Sequence, residues 1–145
     1  MKLSKLLPAL VLALSAASCT PSPKPIAYGS DACHYCKMTI VDQQHAAEVV
    51  TTKGKAFKFD AIECMVNYLD KQEAQEYAFL LANDYENPGE WIPAEASYYL
   101  ISQAIPSPMG AYLSAFETRQ RAQAVQSEKG GEVLDWKGLR AYMKK

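Results

Sequence analysis

The chain has 145 residues, of which 49% are hydrophobic, and its formal net charge is −1. This hydrophobic content is sufficient for a globular core. The 15 lysines and arginines are scattered and form no basic stripe, so nucleic acid is not expected as a partner. There is no glycine-rich phosphate loop, no Gly-x-Ser-x-Gly motif and only two histidines, so nothing indicates hydrolysis or phosphoryl transfer.

The first 18 residues are typical of a secretory signal peptide. Two lysines near the start precede an apolar run from Leu6 to Ala17. The run is shorter than the roughly 18 to 20 apolar residues that a membrane-spanning helix needs, so a permanent transmembrane segment is the weaker interpretation. We therefore expect residues 1–18 to be removed during export.

Cys19 follows small residues, as the lipidated cysteine of a bacterial lipobox does. This resemblance implies cleavage before Cys19, acylation of that residue and attachment of the mature chain to a membrane. Ala16 stands where a lipobox usually has leucine, so ordinary signal-peptidase cleavage with a free Cys19 is the alternative. In a Gram-negative cell, Thr20 directly after the cysteine favours the outer membrane, with the protein facing the periplasm.

The rest of the chain is predicted to contain a tether and one folded region. Residues 19–29 contain three prolines, which favour an extended tether with little packing. The folded region is predicted to be an α+β domain of two packed ββαβ-like units, the first over residues 30–87 and the second over residues 88–145.

The first unit shows a hairpin followed by a helix and a further strand. Asp60 is a candidate N-cap, with Glu63 three positions later, for a helix that ends at Asp70. Residues 53–55 are the predicted turn of the hairpin, and residues 83–93 are a predicted linker. Apolar, β-branched or alternating runs predict strands over residues 38–42, 47–52, 56–59 and 77–82.

The second unit has a similar order of elements. Strands are predicted over residues 96–101, 111–116 and 132–134, and helices over residues 120–128 and from Asp135 onward. Residues 46–54 align without a gap over residues 122–130, which suggests a repeat. On that alignment, Met38 and Met109 would occupy similar places in the two units.

The clearest chemical signal lies at the start of the folded region. Cys33, His34, Cys36 and Met38 place two thiols, an imidazole and a thioether within six residues. Soft donors select soft ions, and Cu(I) prefers thiolate and thioether ligands. Met109, between a proline and a glycine, offers a second thioether on a constrained turn. These residues therefore predict a Cu(I) site.

Cys64 is a further candidate ligand. It lies on the predicted helix almost opposite the apolar stripe, so it can face either the cysteine pair or solvent. In isolation, such a cysteine is more often a buried inert thiol, and methionines such as Met38 and Met109 are more often core residues. With Cys33 and Cys36 it makes an odd number of thiols after Cys19, so a purely structural disulfide scheme leaves one over.

Two other interpretations of the cysteine pair stay open. Cys33 and Cys36 have the spacing of a thiol-disulfide oxidoreductase, although such pairs normally open a helix after a buried strand, and this pair follows the proline-rich segment. A structural zinc ion is the second alternative, held by the three cysteines with His34 or His45. Covalent haem is not expected, because Lys37 stands where a histidine would be needed.

Four features together resemble the NosL family, lipoproteins associated with the maturation of nitrous oxide reductase. They are the lipoprotein-like start, the motif Cys33-x-x-Cys36-x-Met38, the strand Gly54-x-x-Phe57-x-Phe59-Asp60 before a helix with Cys64, and Ser107-Pro108-Met109-Gly110 before Ala115-Phe116. The resemblance covers most of the mature chain. It implies two similar ββαβ units related to the core of organomercurial lyase.

The resemblance also implies a function and a ligand set. The implied activity is Cu(I) binding and delivery to an apo copper enzyme, which makes the protein a carrier and not a catalyst. Nitrous oxide reductase is the implied acceptor, assisted by an ABC-type transporter and a periplasmic partner. The implied ligands are Cys33, Cys36, Met38 and Met109, with Cys64 as a further one, and zinc is the alternative metal.

Overall fold

The computed structural model describes residues 20–145. The predictions for the signal peptide over residues 1–18 and for lipidation of Cys19 lie outside the described residues. Within the described part, no helix combines the length and the apolar character that crossing a bilayer requires.

Seven strands and three α-helices are described. The strands are β1 (Ala47–Thr51), β2 (Ala56–Phe59), β3 (Tyr77–Asn83), β4 (Trp91–Pro93), β5 (Tyr98–Ile101), β6 (Leu113–Phe116) and β7 (Glu132–Asp135). The helices are α1 (Ile62–Asp70), α2 (Arg119–Lys129) and α3 (Trp136–Met143), with a short 3-10 turn at Ala94–Ala96.

The first sheet has the strand order β2-β1-β3-β4, and every pairing in it is antiparallel. β1 and β2 form the predicted hairpin, with Val49 opposite Phe57. Gly54 makes the tight turn possible because its φ of +82° lies in the left-handed region that glycine adopts without strain. After α1, β3 returns to pair with the other side of β1, which places the first strand of the unit at the centre.

The second sheet repeats this arrangement with the strand order β6-β5-β7. β5 pairs with β6 as a hairpin, and after α2 the chain returns as β7 on the other side of β5. The prediction of an α+β fold with two ββαβ units is therefore confirmed. The predicted repeat alignment is wrong, because residues 46–54 contain strand β1 whereas residues 122–130 lie mainly in helix α2. By topology, the counterpart of β1 is β5.

Two predicted elements differ in the structure. Residues 38–42 form only one β-bridge, between Thr39 and Ala32, because the chain turns at Asp42, whose Oδ1 accepts a hydrogen bond of 2.7 Å from the Gln44 N–H. The predicted linker over residues 83–93 ends in strand β4, which pairs with β3 so that Leu81 lies opposite Pro93. In both cases the long-range partner decided the outcome.

One hydrophobic core runs through both units. It includes α1 residues such as Met65 and Val66, β1 residues such as Val49, and Leu113 from β6. Helix α1 contacts β1, β2, β6 and α3, so it lies between the two units. A smaller cluster lies beneath α2 and contains Leu100, Ile105, Phe116 and Ala122.

A buried chain of hydrogen bonds also joins the units. His45 Nδ1 lies 3.0 Å from Asp42 Oδ2, and His45 Nε2 lies 3.1 Å from Ser114 Oγ on β6. The three residue types are those of a serine hydrolase triad, but the Ser114 side chain is fully buried and closed to substrate. These hydrogen bonds are therefore a structural connection between the first unit and the second.

The N-terminal segment packs against the first unit. The Lys24 N–H donates a hydrogen bond of 2.7 Å to Glu48 Oε1 on β1. Ile26 is buried in the common core, and Lys58 Nζ donates to the Pro25 carbonyl oxygen at 2.7 Å. The chain from Lys24 onward is thus fixed to the sheet that supports the cysteine loop.

Candidate metal centre

The loop that carries the cysteine pair is closed by its own backbone. The Cys33 N–H donates to the Met38 carbonyl oxygen at 2.8 Å, and the Lys37 N–H donates to the Cys33 carbonyl oxygen at 3.0 Å. Lys37 has a φ of +69°, a left-handed conformation that costs a residue with a Cβ roughly 1–2 kcal/mol. The loop therefore adopts a strained turn that brings Cys33 and Cys36 together.

Helix α1 contributes the third cysteine and a carboxylate. Ala61 is the N-cap residue, with no side-chain cap, so the predicted capping role of Asp60 is wrong. The Asp60 carboxylate instead accepts a hydrogen bond of 3.3 Å from Cys36 Sγ. Cys64 lies in the first turn of the helix and is buried, facing the cysteine loop. The helix start therefore holds two donors against the loop.

Cys33, Cys36, Asp60 and Cys64 form one cluster. Their ligand atoms all lie within 4.8 Å of one another. Cys36 is partly exposed, whereas the other three residues are buried. The three cysteines are free thiols. Three sulfurs and one carboxylate oxygen at this spacing could hold a metal ion, and the sulfur-rich set is suited to soft or borderline ions.

The cluster favours one thiolate. A hydrogen bond from the Cys64 thiol, aided by the backbone N–H groups of Cys36, Asp60 and Tyr35, lowers the pKa of Cys33 to about 6. Burial raises the pKa of Cys36 to about 11, and the hydrogen bond to Cys33 raises the pKa of Cys64. At neutral pH, Cys33 is therefore the ready ligand, and a metal ion must displace protons from the other two thiols.

The two predicted methionine ligands lie at the surface of the molecule. The side chain of Met38 is 54% exposed and that of Met109 is 43% exposed, which is unusual for methionines of a core. A cleft of about 300 Å³ adjoins the cluster, and Asp60 belongs to both. The cleft is lined by Met38, Thr39, Val41, Asp42, Asp60 and Pro108. The structure thus brings Met38 and the neighbour of Met109 to the same opening.

Both methionine loops contain an unusual backbone conformation. Among residues 20–145, the two residues other than glycine with positive φ are Lys37, directly before Met38, and Tyr112, three residues after Met109. Such conformations persist only where the surrounding structure enforces them, and they concentrate at functional sites. This feature supports a role for both loops.

Neither histidine lies in the cluster. His34 is exposed, and its ring centroid lies 4.5 Å from that of Phe57 and 5.4 Å from that of Tyr68. His45 is committed to the hydrogen bonds with Asp42 and Ser114. The fourth donor that the zinc hypothesis assigned to a histidine is instead Asp60, which sequence reasoning missed because its position before α1 is also that of a cap.

The fold and the site define an α+β protein of two ββαβ units, in which a largely buried cluster of thiols lies between the cysteine loop and the start of α1. Its fold is similar to that of the crystal structure of the copper chaperone NosL from Shewanella denitrificans, with a TM-score of 0.68 over 81% of this chain and 96% of that one. The two sequences are 20% identical, so this match supports the fold alone.

Sequence comparison defines the family. The NosL family model matches residues 26–143. The copper-binding lipoprotein NosL of Stutzerimonas stutzeri is 31% identical over 122 residues, which cover 78% of this chain and 64% of that protein. The chain belongs to the NosL family, as its motifs predicted.

Proposed function

We propose that this protein is a carrier of Cu(I), which it binds with Cys33, Cys36 and Cys64 and transfers to an apo copper enzyme. The observation that carries the proposal is the packing of three free thiols and one carboxylate within 4.8 Å of one another, between the cysteine loop and the start of α1. Thiolates are the protein ligands that Cu(I) prefers. Membership of a family with a relative named a copper-binding lipoprotein supports this assignment.

Met38 and Met109 complete the proposed ligand set at the surface. Their thioethers bind Cu(I) without releasing a proton, and their exposure leaves them accessible to the ligands of a second protein. Transfer is a ligand exchange. Ligand atoms of the acceptor protein reach the ion through the cleft lined by Met38 and Pro108 before the buried thiolates release it. No bond of a substrate is made or broken in this process, so the protein is a carrier and not an enzyme.

The proposed setting is the periplasmic face of a membrane. Lipidation at Cys19 would hold the domain there, on the outer membrane in a Gram-negative cell, and the lipoprotein-like start of the sequence supports this. The proposed acceptor is nitrous oxide reductase, with an ABC-type transporter and a periplasmic partner in the same process. This part of the proposal follows from the family resemblance.

A structural zinc site is the second candidate. The combination of three cysteines and one carboxylate gives four donors, the number that structural zinc takes. On this alternative, removal of the metal would unfold the domain. The oxidoreductase hypothesis is less well supported, because Cys33, the thiol with the lowered pKa, is buried where a disulfide substrate cannot approach it.

The test is an anaerobic titration of the reduced chain from Thr20 onward with Cu(I), against a chromophoric Cu(I) chelator. The proposal predicts one tightly held ion per chain. Cys33→Ser should weaken binding by more than about 100-fold, since loss of a ligand should exceed the 10- to 100-fold loss typical of outer-shell groups. Met109→Leu, which keeps the volume and removes the sulfur, should weaken it about tenfold.

Three controls separate the alternatives. Met143→Leu, on α3, makes the same chemical change outside the site and should leave Cu(I) affinity within twofold of the wild type. Stoichiometric zinc in the purified protein, with unfolding on chelation, would replace the copper proposal by the zinc one. Turnover of a model disulfide by the reduced protein would favour the oxidoreductase.

A further inference from the structure

Glu63 is a buried carboxylate next to the thiol cluster. It is the second residue of α1, directly before Cys64, and its side chain is 3% exposed. Burial of a carboxylate is costly unless hydrogen bonds compensate for lost hydration. The partners of Glu63 therefore indicate what the residue does.

Both hydrogen bonds of Glu63 cross from the first unit to the second. Glu63 Oε1 accepts a hydrogen bond of 2.7 Å from Ser107 Oγ and one of 3.2 Å from the Ala111 N–H. Ser107 and Ala111 lie on either side of Met109, and the segment between them is folded back by a bond of 3.0 Å from the Gly110 N–H to the Ser107 carbonyl oxygen. One carboxylate oxygen thus holds both ends of the methionine loop.

The part of the loop around Met109 lies at the surface of the second unit. Residues 108–110 are exposed, and the loop lies outside the strands of the second sheet. The cleft beside the thiols includes Pro108, so the position of the loop sets where Met109 stands relative to the cluster. An anchor that sits on the same helical turn as Cys64 fixes this relation more directly than the sheet could.

Stability alone does not explain the choice of a carboxylate. Glu63 Oε2 is buried and has no hydrogen-bond partner, an arrangement that generally costs about 1–3 kcal/mol. An apolar residue would avoid that cost but would lose the acceptor for the loop. Buried groups left in this state call for an explanation, and here the two bonds to the loop supply one.

We propose that Glu63 is a positioning residue that places the Met109 thioether at the Cu(I) site by binding Ser107 and Ala111 across the unit junction. The inference rests on the proposed function for its copper-dependent part. Glu63 itself does not bind the ion. It acts by holding a flexible thioether near the thiols, which reduces the entropy that copper binding must otherwise remove.

A double-mutant cycle tests this coupling. Glu63→Ala should weaken Cu(I) binding about tenfold, in the range typical of groups that position metal ligands. In the Met109→Leu background the same substitution should change the affinity by less than twofold, because the thioether that Glu63 positions is gone. Glu63→Gln keeps the Oε1 acceptor and should restore binding to within about threefold of the wild type.

Glu48 provides a matched control. It is also fully buried in the first unit, its Oε1 also accepts a backbone hydrogen bond, from Lys24, and its Oε2 is also without a partner. Its bond, however, leads to the N-terminal segment and not to the methionine loop. Glu48→Ala should leave the affinity for Cu(I) within twofold of the wild type.

A measurement without copper separates this inference from the proposed function. Hydrogen exchange at the Ala111 amide of the metal-free protein should accelerate at least tenfold in Glu63→Ala and stay near the wild-type rate in Glu63→Gln and Glu48→Ala. Unchanged exchange, or an equal loss of affinity with and without Met109, would overturn the positioning role. Accelerated exchange in Glu63→Ala, together with a wild type that binds no Cu(I), would retain the anchor and remove the copper proposal.

Discussion

The two halves of the molecule share one topology and differ in what their helices do. In the first unit, six of the nine residues of α1 are buried, and the helix lies between the sheets. In the second unit, Ala122 is the buried residue of the eleven in α2, whose sequence is mostly polar. Two helices at equivalent positions in a repeated fold therefore differ in their role, since α1 belongs to the core and α2 lies mainly at the surface.

The difference separates the proposed ligands into two groups. The first unit supplies the three thiols and Asp60, on a buried helix and on the loop packed against it. The second unit supplies Met109, on a surface loop that is held through Glu63. A buried set of strong donors and an exposed, weaker donor are what a carrier needs to hold an ion and still release it.

The largest effect expected from this comparison is on stability. Val66 on α1 and Val125 on α2 offer the same chemical change in the two helices, and Val66 is fully buried whereas Val125 is partly exposed. Val66→Ala should lower the free energy of unfolding by about 2–3 kcal/mol, and Val125→Ala by less than about 1 kcal/mol. Urea denaturation of both variants measures the difference. Equal losses would mean that the two helices contribute alike.

The next effect is the ionisation of Cys33, which no ordinary thiol would show. With the pKa of Cys33 lowered to about 6, the group is protonated below that pH and about 90% thiolate at pH 7. Ultraviolet thiolate absorbance of the reduced metal-free protein should show one step near pH 6, with the remaining thiols ionising only in alkali.

Two variants assign that step. Cys33→Ser should remove it, and Cys64→Ala should move it towards pH 9, because the hydrogen bond from Cys64 is the main cause of the lowered pKa. A step that survives in Cys33→Ser would assign the thiolate to another residue.

A smaller effect is expected at the carboxylate of the cluster. Asp60→Asn removes a charge beside the proposed ion and should weaken Cu(I) binding about tenfold. Asp84→Asn alters another buried aspartate, which bonds to Asn87 instead of to a cysteine, and should change the affinity by less than twofold. Competition titrations of the two variants compare them, and similar affinities would exclude a role for Asp60.

The smallest effect concerns the backbone of the cysteine loop. Lys37→Gly relieves a left-handed strain of roughly 1–2 kcal/mol but adds about 0.5–1 kcal/mol of chain entropy to the cost of folding. Thermal unfolding should therefore show that the free energy of unfolding of Lys37→Gly is higher than that of the wild type by about 0.5 kcal/mol. Lys37→Ala, which removes the same long side chain and keeps the Cβ, should show none.

Much of the first unit could be predicted because local signals agreed with the long-range contacts. The hairpin turn at Gly54 and the apolar spacing of α1 appear in the structure as the sequence indicates, and in the second unit α3 begins directly after Asp135, where a helix was predicted. The two ββαβ units followed from the order of these elements. Where a residue was compatible with two local roles, the sequence could not show which residue it contacts in space.

Three cases show this limit. Asp60 precedes a helix as a cap would, and only the approach of Cys36 in space gives its carboxylate another partner. Residues 38–42 have the composition of a strand but lack a neighbouring strand to pair with beyond Ala32. From the sequence, Cys64 could face either solvent or the cysteine pair. In the structure it faces the cysteine pair, because α1 packs between the two units.

In the proposed complex, one Cu(I) is bound by thiols of the first unit and a thioether of the second. X-ray absorption of the Cu(I)-loaded protein labelled with selenomethionine tests it directly, since selenium then marks each methionine that contacts the metal. We expect copper-sulfur and copper-selenium scattering together, with the selenium contribution reduced in Met109→Leu and unchanged in Met143→Leu. Sulfur scattering alone, identical in all three proteins, would contradict it.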